Sequence, residues 1–209
     1  MRILTILSLV LAPILLCGYF WSSSGRLATR VAELESQVEE LSAILEFVHV
    51  ETGNINGLTG PHWIIEGANL HVRSGAGRTD EFCEIGAPDF PNCDNLTGLG
   101  NLIVGYNERT RIGPPIPREV RTGSHNLVIG GHHSYTSVAG LVAGDGNKVT
   151  GSHASVTGGT DNEASGYFSS VSGGHLNKAD GTAASVSGGD KRDAPDDFNW
   201  AAGSLLESN

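Results

Sequence analysis

The chain has 209 residues, of which 29 are glycine and only 6% are aromatic. This composition argues against a large globular core of bulky side chains and favours thin, stacked β-coils. The formal net charge is -10, and without an extended basic patch this acidity argues against a nucleic-acid partner. An acidic chain is instead suited to remaining soluble at a surface.

Residues 1–24 predict a signal peptide or a membrane anchor. Arg2 is followed by an apolar run from Ile3 to Trp21, close to the roughly 20 residues that span a bilayer. The serines at 22–24 offer a small-residue cleavage site. Both interpretations, a cleaved signal and a retained transmembrane helix, are open. Each predicts an exported chain that is at the cell surface, membrane-anchored or secreted.

Residues 25–52 predict an α-helical coiled-coil stalk. Its apolar residues alternate spacings of four and three, which is typical of a heptad seam. The alternative is an amphipathic helix packed against its own domain. The seam residues are Leu27, Val31, Leu34, Val38, Leu41, Leu45 and Val48.

The stalk sequence also indicates how many chains associate in the coiled coil. Valine at position a with leucine at d favours dimers. However, the segment from Arg30 to Glu35 resembles a short trimerisation motif of parallel coiled coils. In that motif the arginine stem covers the core while its guanidinium reaches a neighbouring chain's glutamate. We therefore expect a homotrimer, with the trimerisation residues Arg30, Val31, Leu34, Glu35, Val38, Leu41 and Leu45.

Residues 53–97 predict a neck with its first strands and a stapled loop. The segment from Trp63 to Gly75 contains two strand-like pieces, and alternation around Leu70 makes it a candidate first coil of a stack. Further on, Cys83 and Cys93 enclose a proline-containing loop. In an exported chain this spacing predicts a disulfide.

Residues 98–209 predict a repeat head. Three segments, 154–159, 169–174 and 184–189, share one pattern at a spacing of 15 residues, which indicates stacked coils. In each coil a valine or alanine alternates with polar neighbours and is expected to point inward. The inward residues are Val128, Val142, Val156, Val171 and Val186 in the first half of the coil, and Val149, Ala164, Ala179 and Ala194 in the second.

Other repeated positions indicate how the coils are joined. Asn147, Asn162 and Asn177 recur in register and predict an amide ladder. Gly-Gly pairs suit turns that need positive φ. The coil at Gly144 is expected to lose one residue within its Gly-Asp-Gly turn.

Two places are expected to depart from the repeat. About ten extra residues between Gly105 and Gly130 predict a basic bulge within 108–121, and a smaller bulge is expected at 190–199. Bulges of this kind are the usual place for binding residues. The candidate ligand-binding residues are Arg109, Arg111, Arg118, Arg121, His132, His133, Asp196 and Asp197.

The repeats Ser155-Val-Thr-Gly-Gly-Thr-Asp-Asn-Glu-Ala-Ser-Gly166 and Ser170-Val-Ser-Gly-Gly-His-Leu-Asn-Lys-Ala-Asp-Gly181 resemble head repeats of YadA-type trimeric autotransporter adhesins. The resemblance covers residues 98–203 and implies a trimeric, left-handed parallel β-roll. Two features depart from the family: Gly-Gly replaces Ile-Gly in the turn, and we expect no C-terminal β-barrel anchor. Adhesion is implied by this likeness, whereas autotransport is not.

Little in the chain points to catalysis. His125 and His153 occupy equivalent positions two coils apart, about 10 Å at the spacing of stacked strands, which is too far to share one ion. We therefore predict no cofactor, no metal and no catalytic residue. The predicted function is that of an exported, non-enzymatic, trimeric stalk-and-head surface protein, an adhesin or structural fibre, that binds a glycan, matrix or cell-surface ligand. The alternatives are a carbohydrate-active or metal-dependent enzyme with its site between subunits, and a phage-like fibre segment.

Overall fold

A computed structural model describes residues 25–43, 45–81, 96–109 and 119–203. The predicted signal or anchor at 1–24, the Cys83–Cys93 disulfide, and Arg111 and Arg118 lie outside the described residues. The chain divides into two compact units, Met1–Leu70 and His71–Asn209, and each is considered by itself.

The first unit contains one described helix and a two-stranded sheet. Helix α1 spans 25–43, and every one of its residues is exposed. Strand β1 (Val48–Glu51) pairs with β2 (His62–Ile65) in an antiparallel ladder that sets Val48 opposite Ile65. β-Branched residues on both strands favour this pairing.

Two predictions for this region are wrong in detail. The expected helix is too long at its C-terminal end, because residues 45–47 form a turn and Val48 begins β1. The seam within the helix therefore runs from Leu27 to Leu41. Among the described residues of the neck, only His62–Ile65 forms a strand, and it pairs with β1 rather than with the stack. The segment around Leu70 and Val72 is irregular.

The second unit is a parallel β-solenoid. Its described residues form one seven-stranded and one five-stranded parallel sheet, so about five turns carry a strand of each. The first sheet contains β3 (Leu102–Val104), β4 (Leu127–Gly131), β6 (Leu141–Asp145), β8 (Ser155–Val156), β10 (Ser170–Val171), β12 (Ser185–Val186) and β14 (Trp200–Ala201). The second sheet contains β5 (Ser134–Tyr135), β7 (Lys148–Val149), β9 (Glu163–Ala164), β11 (Lys178–Ala179) and β13 (Asp193–Ala194).

The interior of the solenoid is narrow because its inward side chains are small. The five predicted valines of the first sheet are each 0% exposed, and the predicted inward residues of the second sheet are buried as well. In register, Val156, Val171 and Val186 lie above one another. The inward pattern expected from the sequence is confirmed.

The asparagine ladder is also present, although its rungs differ from a simple amide stack. The backbone N–H of Asn162 donates to Oδ1 of Asn147 over 2.7 Å, and that of Asn177 donates to Oδ1 of Asn162 over 3.0 Å. The Nδ2 of Asn162 donates to the carbonyls of Gly158 and Gly174. Each buried amide thus satisfies backbone groups within its own coil and the next.

Coil length varies where one turn is shortened. Val142 pairs with Val156, fourteen residues later, whereas Asp145 forms a bridge with Thr160, fifteen residues later. The missing residue therefore lies before Gly144, opposite Thr157 and Gly158. The prediction of a one-residue loss is confirmed, but it does not fall within the Gly-Asp-Gly turn. The ten-residue insertion is confirmed too, because Leu102 pairs with Leu127.

Glu81 fastens the segment before the stack to its first coils. Its carboxylate accepts from the Thr97 N–H over 2.6 Å and from the Ser124 hydroxyl over 3.0 Å. Burial raises the pKa of Glu81, but hydrogen bonds from Ser74, Thr97 and Ser124 outweigh it and lower the pKa to about 2. The carboxylate therefore stays ionised in the folded protein at neutral pH.

Candidate functional site

The described part of the predicted basic bulge is held against the stack. Arg109 is exposed. Arg121 is half-buried, and its guanidinium donates to the carbonyls of His133, over 3.1 Å, and Glu108, over 2.7 Å. Arg121 thus joins backbone on the two sides of the bulge, and its donors point at protein carbonyls rather than at an incoming ligand.

The two neighbouring histidines of this region have opposite surroundings. Nδ1 of His132 lies 2.7 Å from Oδ1 of Asp145 at the surface. His133 is 0% exposed. Its Nε2 lies 3.0 Å from the Ile129 carbonyl, and the N–H of Asn147 donates to its Nδ1 over 3.2 Å. The ring occupies the rung position before Asn147 in the asparagine ladder.

This placement corrects the expectation for His133, which was a candidate ligand-binding residue on a turn. The ring acts as a substitute for the ladder amide. Because the Ile129 oxygen can only accept, Nε2 must carry the proton, which leaves Nδ1 to accept from Asn147. His133 is therefore a neutral, buried ring whose two nitrogens both bond to backbone groups, and its role is structural.

We expect the two histidines to titrate on opposite sides of the ordinary histidine range. The hydrogen bond to Asp145 raises the pKa of His132, whereas burial lowers the pKa of His133. The stabilising contribution of His132 is thus present below its unfolded pKa and is lost as pH rises through the folded value. That of His133 is present above its unfolded pKa and is lost as pH falls through the folded value.

NMR titration of the ring protons measures both values. Asp145→Asn should bring the pKa of His132 down without raising that of His133. If His132 titrates below His133 in the unmodified chain, the assigned contacts are wrong.

The acidic candidates do not lie on a bulge. Asp193 pairs with Lys178 and Ala201 pairs with Val186, so 190–199 forms a regular coil and the predicted insertion is wrong. Ala194 fills the inward position there, which is why the repeat continues. Asp196 and Asp197 are exposed, and Oδ1 of Asp197 accepts from the Thr182 N–H over 2.8 Å.

The structure shows a groove that the sequence did not indicate. It has a volume of about 760 Å³ and follows the turns after the second-sheet strands, here called the glycine corner (150–152, 165–167 and 180–182). Three rows line it, one from each position of the turn, with Leu96, Thr122, Pro195 and Asp197 toward its ends. The rows are Thr136, Thr150, Ser165 and Asp180; Ser137, Gly151, Gly166 and Gly181; and Ser152, Tyr167 and Thr182.

The glycine row accounts for the concave shape. A Cβ on Gly151 would overlap the carbonyl oxygen of Gly166, and one on Gly166 would overlap that of Gly181. Close stacking of the coils therefore keeps the row free of side chains at Gly151, Gly166 and Gly181, while the rows on either side carry them. The groove is a consequence of how the coils pack.

Hydroxyls and carboxylates dominate the polar groups of the groove. Among the described residues, the Thr136 and Thr150 hydroxyls have no hydrogen-bond partner. The Ser165 hydroxyl donates to Oδ1 of Asp180 over 2.5 Å, and Lys178 lies 3.3 Å from the other oxygen of that carboxylate. Oδ2 of Asp197 is likewise unpartnered within the described part of the chain.

One aromatic residue, Tyr167, lines the groove, and its ring contacts two neighbouring rings. The ring centroid of Tyr167 lies 3.9 Å from that of Phe168 and 5.7 Å from that of His153. Phe168 is 53% exposed. Burial and the nearby Asp80 carboxylate raise the pKa of Tyr167, so its phenol stays neutral. The cluster offers an apolar surface beside the hydroxyl rows.

No family model, curated protein or solved structure matches this chain. In the described ranges, no cluster of three or more histidine, cysteine or acidic side chains has the arrangement to hold a metal ion. Over the same ranges, no helix combines the length and apolar character needed to cross a membrane. The candidate binding surfaces of the described residues are therefore the groove and the exposed apolar surfaces.

Proposed function

We propose that this chain is an exported, non-enzymatic, homotrimeric surface protein, in which a coiled-coil stalk carries a rigid solenoid head that binds an external ligand. The observation that carries the proposal is the unpartnered apolar stripe of α1. The apolar run from Ile3 to Trp21 supports export. The repetitive, hydrogen-bonded head supports a role in display.

The stripe of α1 calls for a partner on physical grounds. Leu27, Leu34 and Leu41 are between 45% and 66% exposed, although they share one face of the helix. A helix of this length gains most of its stability from packing. Within the helix, Arg30 pairs with Glu33 over 2.6 Å, but an exposed pair of this kind adds little. Packing against copies of the same helix would bury the stripe.

The head has an apolar surface of its own at the start of the first sheet. Leu102, Val104 and Ile129 project from neighbouring strands and are each at least 39% exposed. In the strands β8, β10 and β12 the equivalent outward positions are serine and threonine, as at Ser155 and Thr157. Contact between heads at this apolar end would supplement the stalk, and a left-handed β-roll of three chains would suit it.

The trimer is tested by mass in solution. The full chain, kept in mild detergent because of its apolar N-terminal run, should sediment at three times 21.8 kDa. Leu34→Asp should raise the dissociation constant by more than about a hundredfold, because three buried leucines are lost from one layer. Ser36→Asp introduces the same charge off the seam and should leave the trimer intact.

Three results would contradict the homotrimer. The first is a monomeric chain at micromolar concentration, and the second is an assembly that Leu34→Asp leaves unchanged. The third is a stable dimer, which would show that valine at a and leucine at d outweigh the motif at Arg30–Glu35.

A further inference from the structure

We propose that the groove along the glycine corner binds an uncharged oligosaccharide, a chain of neutral sugar units lying along the axis of the solenoid. This deepens the ligand-binding role proposed above and rests on it, because a surface head meets such glycans outside the cell. The groove itself is built from one chain and does not depend on the trimer.

The shape of the groove suits an extended ligand. The lining residues come from successive coils, from Thr136 to Asp197, and neighbouring coils are separated by about 4.8 Å, as in any β-sheet. The groove is therefore linear and presents similar groups at a constant interval. An extended ligand with a repeating unit would meet these groups repeatedly, whereas a compact ligand would use only a part of them.

The free polar groups of the groove suit the hydroxyls of a sugar. The unpartnered hydroxyls of Thr136 and Thr150 each donate one hydrogen bond and accept others. Sugar hydroxyls have the same dual character, so either group can adapt to the other. Oδ2 of Asp197 adds an acceptor. Beside them, Tyr167 lines the groove with an aromatic ring on which the apolar C–H face of a sugar ring can pack.

The charge of the groove disfavours anionic ligands. Asp180 and Asp197 line the groove, and the described residues that line it include no lysine or arginine. Lys178 is paired with Asp180. A phosphate, sulfate or uronic acid would face carboxylates without a compensating cation. This selects neutral glycans over nucleic acid and over acidic polysaccharides.

A peptide strand is a poor fit for the same surface. Adding a strand requires free backbone N–H and C=O groups at a sheet edge. At the glycine corner, the N–H groups of Gly151 and Gly166 already donate to the carbonyls of Ala164 and Ala179. Side chains, rather than backbone, are available to a ligand here.

Titration calorimetry with cellohexaose, chitohexaose and maltohexaose tests the proposal on the full chain. We expect at least one of these neutral hexasaccharides to bind with a dissociation constant below the millimolar range. The double variant Thr136→Val/Thr150→Val keeps side-chain shape but removes two hydroxyls, and it should weaken that binding by about tenfold. Thr160→Val makes the same change on the opposite turn of the coil and should leave affinity unchanged.

Absence of binding to all three hexasaccharides would overturn the proposal. So would equal affinity in the double variant, or preference for a heparin or polygalacturonate fragment over every neutral probe. Sedimentation of the same samples separates this result from the trimer. A monomer that binds a hexasaccharide would overturn the oligomeric state and support the groove, whereas a trimer that binds none would do the reverse.

Discussion

Replacing Gly166 with alanine is expected to destabilise the solenoid by about 3 kcal/mol or more. The new Cβ would overlap the carbonyl oxygen of Gly181 in the next coil. That oxygen accepts from the Ala184 N–H over 3.1 Å, so it cannot withdraw without loss of its own bond. Urea denaturation monitored by circular dichroism measures the change in the free energy of unfolding.

Gly158→Ala is the matched control for this substitution. Its Cβ would approach no atom closer than the Ser172 carbonyl oxygen at 3.9 Å, because Gly158 lies in the part of the coil that carries the additional residue. We expect a change within about 0.5 kcal/mol. Equal losses in Gly158→Ala and Gly166→Ala would mean that the close approach of the coils at the glycine corner is wrong.

Asn162→Ala should cost about 3 kcal/mol as well, for a different reason. The substitution removes the acceptor for the Asn177 N–H and the donor to the Gly174 carbonyl. The Asn177 N–H would be left unsatisfied beside a residue that is 0% exposed, at a cost of about 1–3 kcal/mol. The Gly174 carbonyl would keep only its bond from the Thr160 N–H, so the loss of the second bond adds to that cost. The midpoint of urea denaturation should fall accordingly, with an unchanged m-value if the transition remains two-state.

Asn199→Ala is the control for the ladder. The Asn199 amide donates to the Asp196 carboxylate over 3.2 Å at an exposed site, where water can replace it. We expect a loss below about 1 kcal/mol. If Asn162→Ala is no more costly than Asn199→Ala, the ladder does not stabilise the stack.

The core and the ladder could be predicted from sequence because period and residue type agree there. A valine or alanine at a fixed phase, such as Val171 or Ala179, has one place to go in a narrow coil, and both are 0% exposed. Asn147 and Asn162 recur in phase with them. The ladder partner of each was less predictable, because the bond runs to a backbone N–H rather than to the next amide.

Local composition misled the prediction where it outweighed the repeat. The acidic, proline-containing segment at 190–199 suggested a bulge, yet Ala194 keeps the inward phase and Asp193 pairs with Lys178. His133 suggested a surface ligand because histidine is usually read as a functional group. Its position fourteen residues before Asn147 was the signal that it replaces a ladder amide.

The groove was missed because it arises between coils. Its sequence signal is a glycine flanked by side chains in Thr150–Ser152, recurring at Ser165–Tyr167 and Asp180–Thr182. Read along one coil, that glycine suggests a turn. Only the stacking shows that the glycines adjoin one another and leave a channel between two rows of side chains.

The end of the asparagine ladder bears on the length of the molecule. Its last rung is the backbone N–H of Arg192, which donates to Oδ1 of Asn177 over 2.8 Å and would serve equally with any residue except proline. The asparagine ladder can therefore end without a special capping sequence. Since neighbouring repeats are alike, recombination within the coding region could add or remove whole coils, each changing the height of the head by about 4.8 Å. The height of the solenoid is thus open to adjustment without a new fold.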